Sequence, residues 1–190
     1  TVVVEVHYTP RLESDQYVRP IIKIEVSCLS MKEPYEVRHI SSLVGNKFQQ
    51  IDDEIVADIP TISPIRTFLE KAFLLNEEYQ RKNPRTDRMS RHLYDLERLM
   101  DTPFAAAALT DMPLYQEIIE HRRRFYHVGG VNYDLNLPVT IAFCPTGELR
   151  DKMRIDYDAM KSSMIYGDKL SFDTLISRLE VLQTRFQTMD

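Results

Sequence analysis

The chain has 190 residues, enough for one good core or two small ones, and its 43% hydrophobic and 28% charged residues are those of an ordinary globular protein. No apolar run approaches the roughly 20 residues that a membrane helix requires, and no basic region with an apolar core follows Thr1, so neither a membrane protein nor a signal peptide is read here. A formal net charge of −5 argues against a generic nucleic-acid coat while leaving room for a local basic groove.

The expected setting is cytoplasmic, and the chain reads as cut at its front because Thr1 is not a methionine. Cys28 and Cys144 lie far apart with no Cys/His partner at ligand spacing, so they are expected as reduced, buried thiols. Val2 to Tyr8 reads as a strand of β-branched residues. Pro20 to Ser30 reads as another, in which Ile22, Ile24, Val26 and Cys28 alternate with Lys23, Glu25 and Ser27. The polar loop between them breaks at Pro10. Tyr35 to Val44 adds a third strand, the run Asp52-Asp53-Glu54 suits a solvated helix start, and a last extended piece, Val56 to Ile59, stops at Pro60. So few strands cannot bury both faces, and this front part is expected to need further chain for its core.

After Pro60 the period becomes helical. Ser63 is placed to cap and Pro64 to occupy the first helical position, where a missing N–H costs nothing. Ile65, Phe68, Leu69, Ala72, Leu75 and Tyr79 form one stripe of a helix ending near Pro84. Met89, Leu93, Leu96 and Met100 form the stripe of the next, which closes before Pro103. A short helix over Phe104 to Leu109 and a longer one from Pro113 to about His127 follow, with Gly129-Gly130 as C-cap glycines. Val131 to Pro145 reads as loop. Two final helices carry Leu149, Met153, Tyr157, Met160 and Met164, then Phe172, Leu175, Ile176, Leu179, Leu182 and Phe186, as core stripes.

Four polar features stand out against this frame. Lys71 falls roughly 100° from the middle of its apolar stripe, on the border where a lysine either reaches a cleft or snorkels to water. Arg88, Arg91, Asp95 and Arg98 share one face of the following helix, either as a platform for phosphates or as an Arg91–Asp95 pair of small worth. Glu25 is an acid at the centre of an apolar strand, either facing solvent or serving a site. His121-Arg122-Arg123-Arg124 ends a helix, where cations suit the dipole or could grip phosphates. His7, His39, His92 and His127 have no partner at metal-ligand spacing.

The segment Ser63-Pro64-x-Arg66-Thr67-x-x-Glu70-Lys71 and the block Arg91-His92-Leu93-Tyr94-Asp95-Leu96 resemble the nucleotidyltransferase family of type IV toxin–antitoxin systems (AbiEii/AbiGii toxin-like), and the resemblance covers most of the chain. It implies an α+β fold: an incomplete nucleotidyltransferase-like mixed sheet over residues 1–62, followed by a helical C-terminal lobe over residues 63–190. It implies transfer of a nucleotide from an NTP, with Mg²⁺ in the full-length protein, onto tRNA or a protein acceptor, and a cognate antitoxin as partner. In that scheme Lys71 holds the triphosphate, Asp95 positions or assists, Glu25 is a metal carboxylate, and Arg88 and Arg91 line the groove. The family's Gly-Gly or Gly-Ser pair followed by Asp-x-Asp does not occur in these residues, so alone they are expected to turn over little or nothing. The alternative is a non-catalytic binding or regulatory domain contacting a partner protein or RNA.

Overall fold

A computed structural model describes residues 2–11, 17–31, 34–48 and 56–189. Strand β1 (Val2–His7) pairs antiparallel with β2 (Ile21–Val26), and β3 (Tyr35–Ile40) with β4 (Ala57–Ile62). The fold is therefore α+β, but among the described residues the strands form two separate two-stranded antiparallel sheets where a mixed sheet was expected. Apart from Ile21, every strand residue is exposed. The register places Val2, Val4 and Val6 opposite Val26, Ile24 and Ile22, so one face of the first hairpin is wholly apolar and uncovered.

Two strand boundaries differ from the sequence reading. The third strand ends at Ile40 because the Ser42 hydroxyl accepts from the Gly45 N–H at 2.9 Å and starts a short helix, α1 (Leu43–Lys47). The fourth strand runs through Pro60, opposite Val37, since a proline is tolerated where a strand lies at a sheet edge. The acidic run Asp52-Asp53-Glu54 lies outside the described residues.

The core is helical. Helix α2 (Pro64–Tyr79) is central, and Phe68, Leu69, Ala72, Phe73 and Leu75 are fully buried on it. Around it stand α3 (Ser90–Leu99), α4 (Pro103–Ala108), α5 (Met112–Phe125), α6 (Gly147–Ser163) and α7 (Phe172–Gln187), with a 3-10 turn over Tyr133–Asn136. All six residues of the predicted last stripe, Phe172 to Phe186, are buried, and Phe186 stacks on Phe68 at 5.5 Å. Each such side chain contributes about 1.5–3 kcal/mol when fully buried, so these stripes hold the molecule together. Met164 departs from its stripe: it lies beyond the end of α6 and is exposed.

Helix ends also differ in instructive ways. The Ser63 side chain makes no capping bond; its carbonyl accepts from the Thr67 N–H instead. Helix α2 stops at Tyr79, short of Pro84, where buried Glu78 gathers Arg81 and Arg85 and turns the chain. After α5 His127 already takes the left-handed region, with φ +42°, two positions before Gly129-Gly130, of which Gly130 also has a positive φ, +79°. Among the described residues no helix is long and apolar enough to cross a membrane.

Candidate functional site

Helices α2 and α3 face each other through a groove lined by Ile62, Pro64, Thr67, Lys71, Tyr94, Asp95, Arg98 and Leu99, with a volume of about 390 Å³. Pro64, Thr67 and Lys71 recur at helical spacing along one edge of α2, beside the buried stripe of Phe68, Ala72 and Leu75. On α3, Leu93 and Leu96 are fully buried and turn Asp95 and Arg98 toward the groove. The Lys71 ammonium donates to the Asp95 carboxylate, Nζ to Oδ2 2.7 Å. The two residues singled out on two helices thus meet, and the alternative pairing of Asp95 with Arg91 is not formed.

The energetics of this pair separate a structural from a functional role. The Lys71 side chain is 22% exposed and that of Asp95 38%. A partly hydrated pair of this kind contributes about 0.2–1 kcal/mol. Such a contact is a weak staple but an available one, since an anionic ligand can take over the ammonium at little cost. Glu70, next in sequence, belongs elsewhere: it accepts from the buried Arg66 Nε at 3.1 Å, and Arg66 Nη1 donates to the Met31 carbonyl at 2.7 Å.

His92 stands one helical turn before Asp95 on α3. Its Nδ1 is buried with no hydrogen-bond partner among the described residues. Burial first, and then the charges of Lys71, Arg91 and Arg85, push its pKa down to about 3, so the ring is neutral. A neutral imidazole beside Lys71 leaves the local charge to the lysine, the arginines and Asp95.

The remaining predicted residues lie outside the groove lining. Glu25 sits on the exposed first hairpin, 2.6 Å from the Lys23 ammonium. That hydrogen bond and charge, with Arg91 adding to them, hold its carboxyl below the usual range. Arg91 is exposed, one turn from Asp95, and its charge reaches Glu25 and Tyr17. Arg88 precedes the helix, with φ +58°; its guanidinium donates to the Tyr17 carbonyl at 2.5 Å and lies 4.7 Å over the Tyr17 ring. Lys71, Asp95 and Arg98 are therefore brought together, whereas Arg91, in the first turn of α3, and Glu25, on the first hairpin, are outside the lining and Arg88 is held by Tyr17.

Two supporting constellations have no counterpart in the sequence reading. Asp156 on α6 accepts from the Arg88 N–H at 2.7 Å and the Ser90 N–H at 2.8 Å, and fixes the start of α3. The buried Arg122 side chain donates twice to Glu77, both at 2.6 Å, and Asn136 Nδ2 donates to the same carboxylate at 2.7 Å. Asn76 joins this network through Asn136 and Leu135, which locks α2 to α5 and the 3-10 turn. The cluster His121-Arg122-Arg123-Arg124 is thereby split. Arg122 is interior, Arg123 pairs with Glu120 and Asp134, and the His121 Nε2 lies 2.6 Å from the Leu29 carbonyl. Both cysteines are free; Cys28 is exposed against expectation, and burial raises the Cys144 thiol to about 12.

A lysine and an acid meet in an open groove between two helices, next to a second cation, an arrangement whose excess positive charge suits an anion. The chain belongs to the family described as the nucleotidyl transferase AbiEii toxin of type IV toxin–antitoxin systems, whose model matches residues 2–178. No curated protein and no solved structure matches the chain. The family carries toxin-like nucleotidyl transfer, a nucleotide substrate, divalent metal ions and a cognate antitoxin. The described residues do not by themselves fit a divalent metal: no three His, Cys, Asp or Glu side chains cluster among them, Glu25 is held by Lys23 and Asp95 by Lys71.

Proposed function

We propose that this protein is a toxin-like nucleotidyltransferase that binds an NTP in the α2–α3 groove and transfers its nucleotide to an RNA, tRNA in particular, or to a protein acceptor. The observation that carries this reading is the 2.7 Å contact between Lys71 and Asp95 inside one groove, in a chain whose family transfers nucleotides. Lys71 binds the triphosphate by exchanging its Asp95 partner for phosphate oxygens. Asp95, released from the ammonium but still beside it, orients Lys71 and stands as an acceptor for the proton of an attacking hydroxyl. Neutral His92 adds no charge of its own beneath them.

Arg91 extends the cationic edge toward the first hairpin and is assigned to phosphates passing along the groove rim. Arg88 is assigned to holding Tyr17 against the start of α3, because its guanidinium is already taken up there. Glu25 as a metal carboxylate requires further donors beside it, and no group of three His, Cys, Asp or Glu side chains suited to a metal occurs among the described residues. The division into a front part of residues 1–62 and a helical part of residues 63–190 puts the whole groove, except Ile62, on the helical side.

The test is a radiolabelled NTP transfer assay on the full-length gene product with RNA and protein acceptors. Label appears on one acceptor class with the wild type, and Lys71→Ala and Asp95→Ala each lower it on the order of 100-fold. Labelling at wild-type levels by both variants removes the site assignment. Saturable NTP binding with no labelled acceptor supports instead the non-catalytic binding domain.

A further inference from the structure

We infer that Arg98 is the second anion-binding group of the Lys71–Asp95 groove and holds phosphate oxygens of the NTP beside Lys71, an inference that rests on the nucleotide reading above. Four observations lead to it. Arg98 lines the same groove as Lys71, Asp95, Thr67 and Tyr94. It lies three residues after Asp95 on α3, which is one turn along the same helical face. It is exposed, and no described residue gives it a hydrogen bond or an ion pair. The charged lining residues are Lys71, Arg98 and Asp95, so once Asp95 is set against Lys71 the groove keeps one cation in excess.

The other arginines near the site are less well placed for this work. Arg88 is bound to Tyr17, and Arg91 is absent from the groove lining, with its charge directed at Glu25 and Tyr17. Arg178 and Arg185, on α7, are committed to Glu97 of α3 and to Asp101 just beyond its end. A cation in the last turn of a helix also complements the helix dipole, and that alone explains a basic residue near the end of α3. It does not explain why this one lines the groove uncommitted, while Arg88, Arg178 and Arg185 are paired and the equally uncommitted Arg91 stands outside the lining. An arginine suits the task because its planar fork grips two phosphate oxygens at once, whereas Lys71 supplies a point charge. The apolar lining residues Ile62, Pro64 and Leu99 give the same groove a surface for the less polar part of a nucleotide.

The test uses sodium tripolyphosphate as the probe, titrated calorimetrically at low salt into the whole chain and into Lys71→Gln, Arg98→Gln, Arg98→Lys and Arg124→Gln. Arg124 is an exposed cation stacked on Phe125 away from the groove and serves as the control. Arg98→Gln is expected to weaken binding roughly tenfold, Arg98→Lys less, and Arg124→Gln not at all. Circular dichroism checks the fold; should Arg98→Gln unfold, the contrast between Arg98→Lys and the wild type carries the result. Wild-type affinity in the Arg98 variants alongside a loss in Lys71→Gln overturns the role of Arg98 and leaves the groove standing. No binding by the wild type, or binding indifferent to Lys71→Gln, overturns the nucleotide reading and this inference with it.

Discussion

Asp156 caps α3 at Ser90 from a different helix: its carboxylate accepts the Ser90 N–H and hydroxyl together, and the preceding N–H of Arg88 as well. Met89, the residue at the local cap position, offers no side-chain acceptor of its own. The placement of Asp95, one and a half turns further on, therefore depends on a carboxylate that belongs to α6. This makes α6 part of the scaffold that aims the groove, although none of its residues lines it.

Replacing Asp156 by alanine removes a cap, which costs about 1–2 kcal/mol, and leaves the fully buried Ser90 hydroxyl without its acceptor, which adds about 1 kcal/mol or more. A loss of about 2–3 kcal/mol in a chain of this size lowers Tm on the order of 5–10 °C. Asp156→Asn, which keeps one acceptor oxygen, is expected to lose less. Thermal unfolding followed by circular dichroism decides the matter: an unchanged Tm in Asp156→Ala means that α3 starts without this contact.

The Glu77–Arg122 pair is a different kind of interaction because both side chains are about 6% exposed. Removing one partner strands the other charge in the interior, at about 3–5 kcal/mol. Arg122→Met and Glu77→Leu are each expected to lower the unfolding free energy measured in urea by that amount. The double variant should recover a large part of the loss, since a buried ion pair is often replaceable by apolar side chains. Recovery stays incomplete because Asn136 Nδ2 also donates to Glu77 and is left without it. Strictly additive losses would show that the two side chains do not act as a pair.

The contrast between these two constellations and the apolar stripes explains what could be read from sequence. Phe172, Leu175, Ile176, Leu179, Leu182 and Phe186 are legible because a helix buries one face and the period of 3.6 residues is local. Asp156 and Ser90 are 66 residues apart, and Glu77 and Arg122 are 45 apart, so no spacing rule connects them. Lys71 and Asp95 were found through family-like motifs; the helical geometry of Lys71 by itself favoured a snorkelling surface lysine. The path of β4 through Pro60 depends on which side of the strand stays unpaired, and that is decided by the partner strand. In the same way His127, in place of a glycine, takes the left-handed position after α5, where local preference points to Gly129.

His92 makes stability depend on pH in a defined direction. Its folded pKa is lowered from the ordinary 6.5 to about 3 by burial and by the cations Lys71, Arg91 and Arg85. Below 6.5 the unfolded chain takes up a proton that the folded chain refuses, so stability falls as the pH drops from 6.5 toward 3. The slope from this one group is at most about 1.4 kcal/mol per pH unit. Tm measured at pH 7 and pH 5 should therefore fall more for the wild type than for His92→Gln, which has no proton to take up. Equal falls would place the acid sensitivity between pH 7 and pH 5 in groups other than His92.

The Lys71–Asp95 contact allows stability and function to be pulled apart. Both side chains keep contact with water, so the pair contributes no more than about 1 kcal/mol to folding. Lys71→Gln and Asp95→Asn are thus expected to unfold within about 4 °C of the wild type. The same substitutions remove the ammonium that meets the phosphates and the carboxylate that orients it, and transfer should fall on the order of 100-fold. Transition temperatures and labelled-product yields from one set of preparations give both numbers. A drop in Tm comparable to that of the Glu77 or Arg122 variants would mark Lys71 as a structural residue. A small change in Tm with lost transfer is the result that a ligand-binding pair requires.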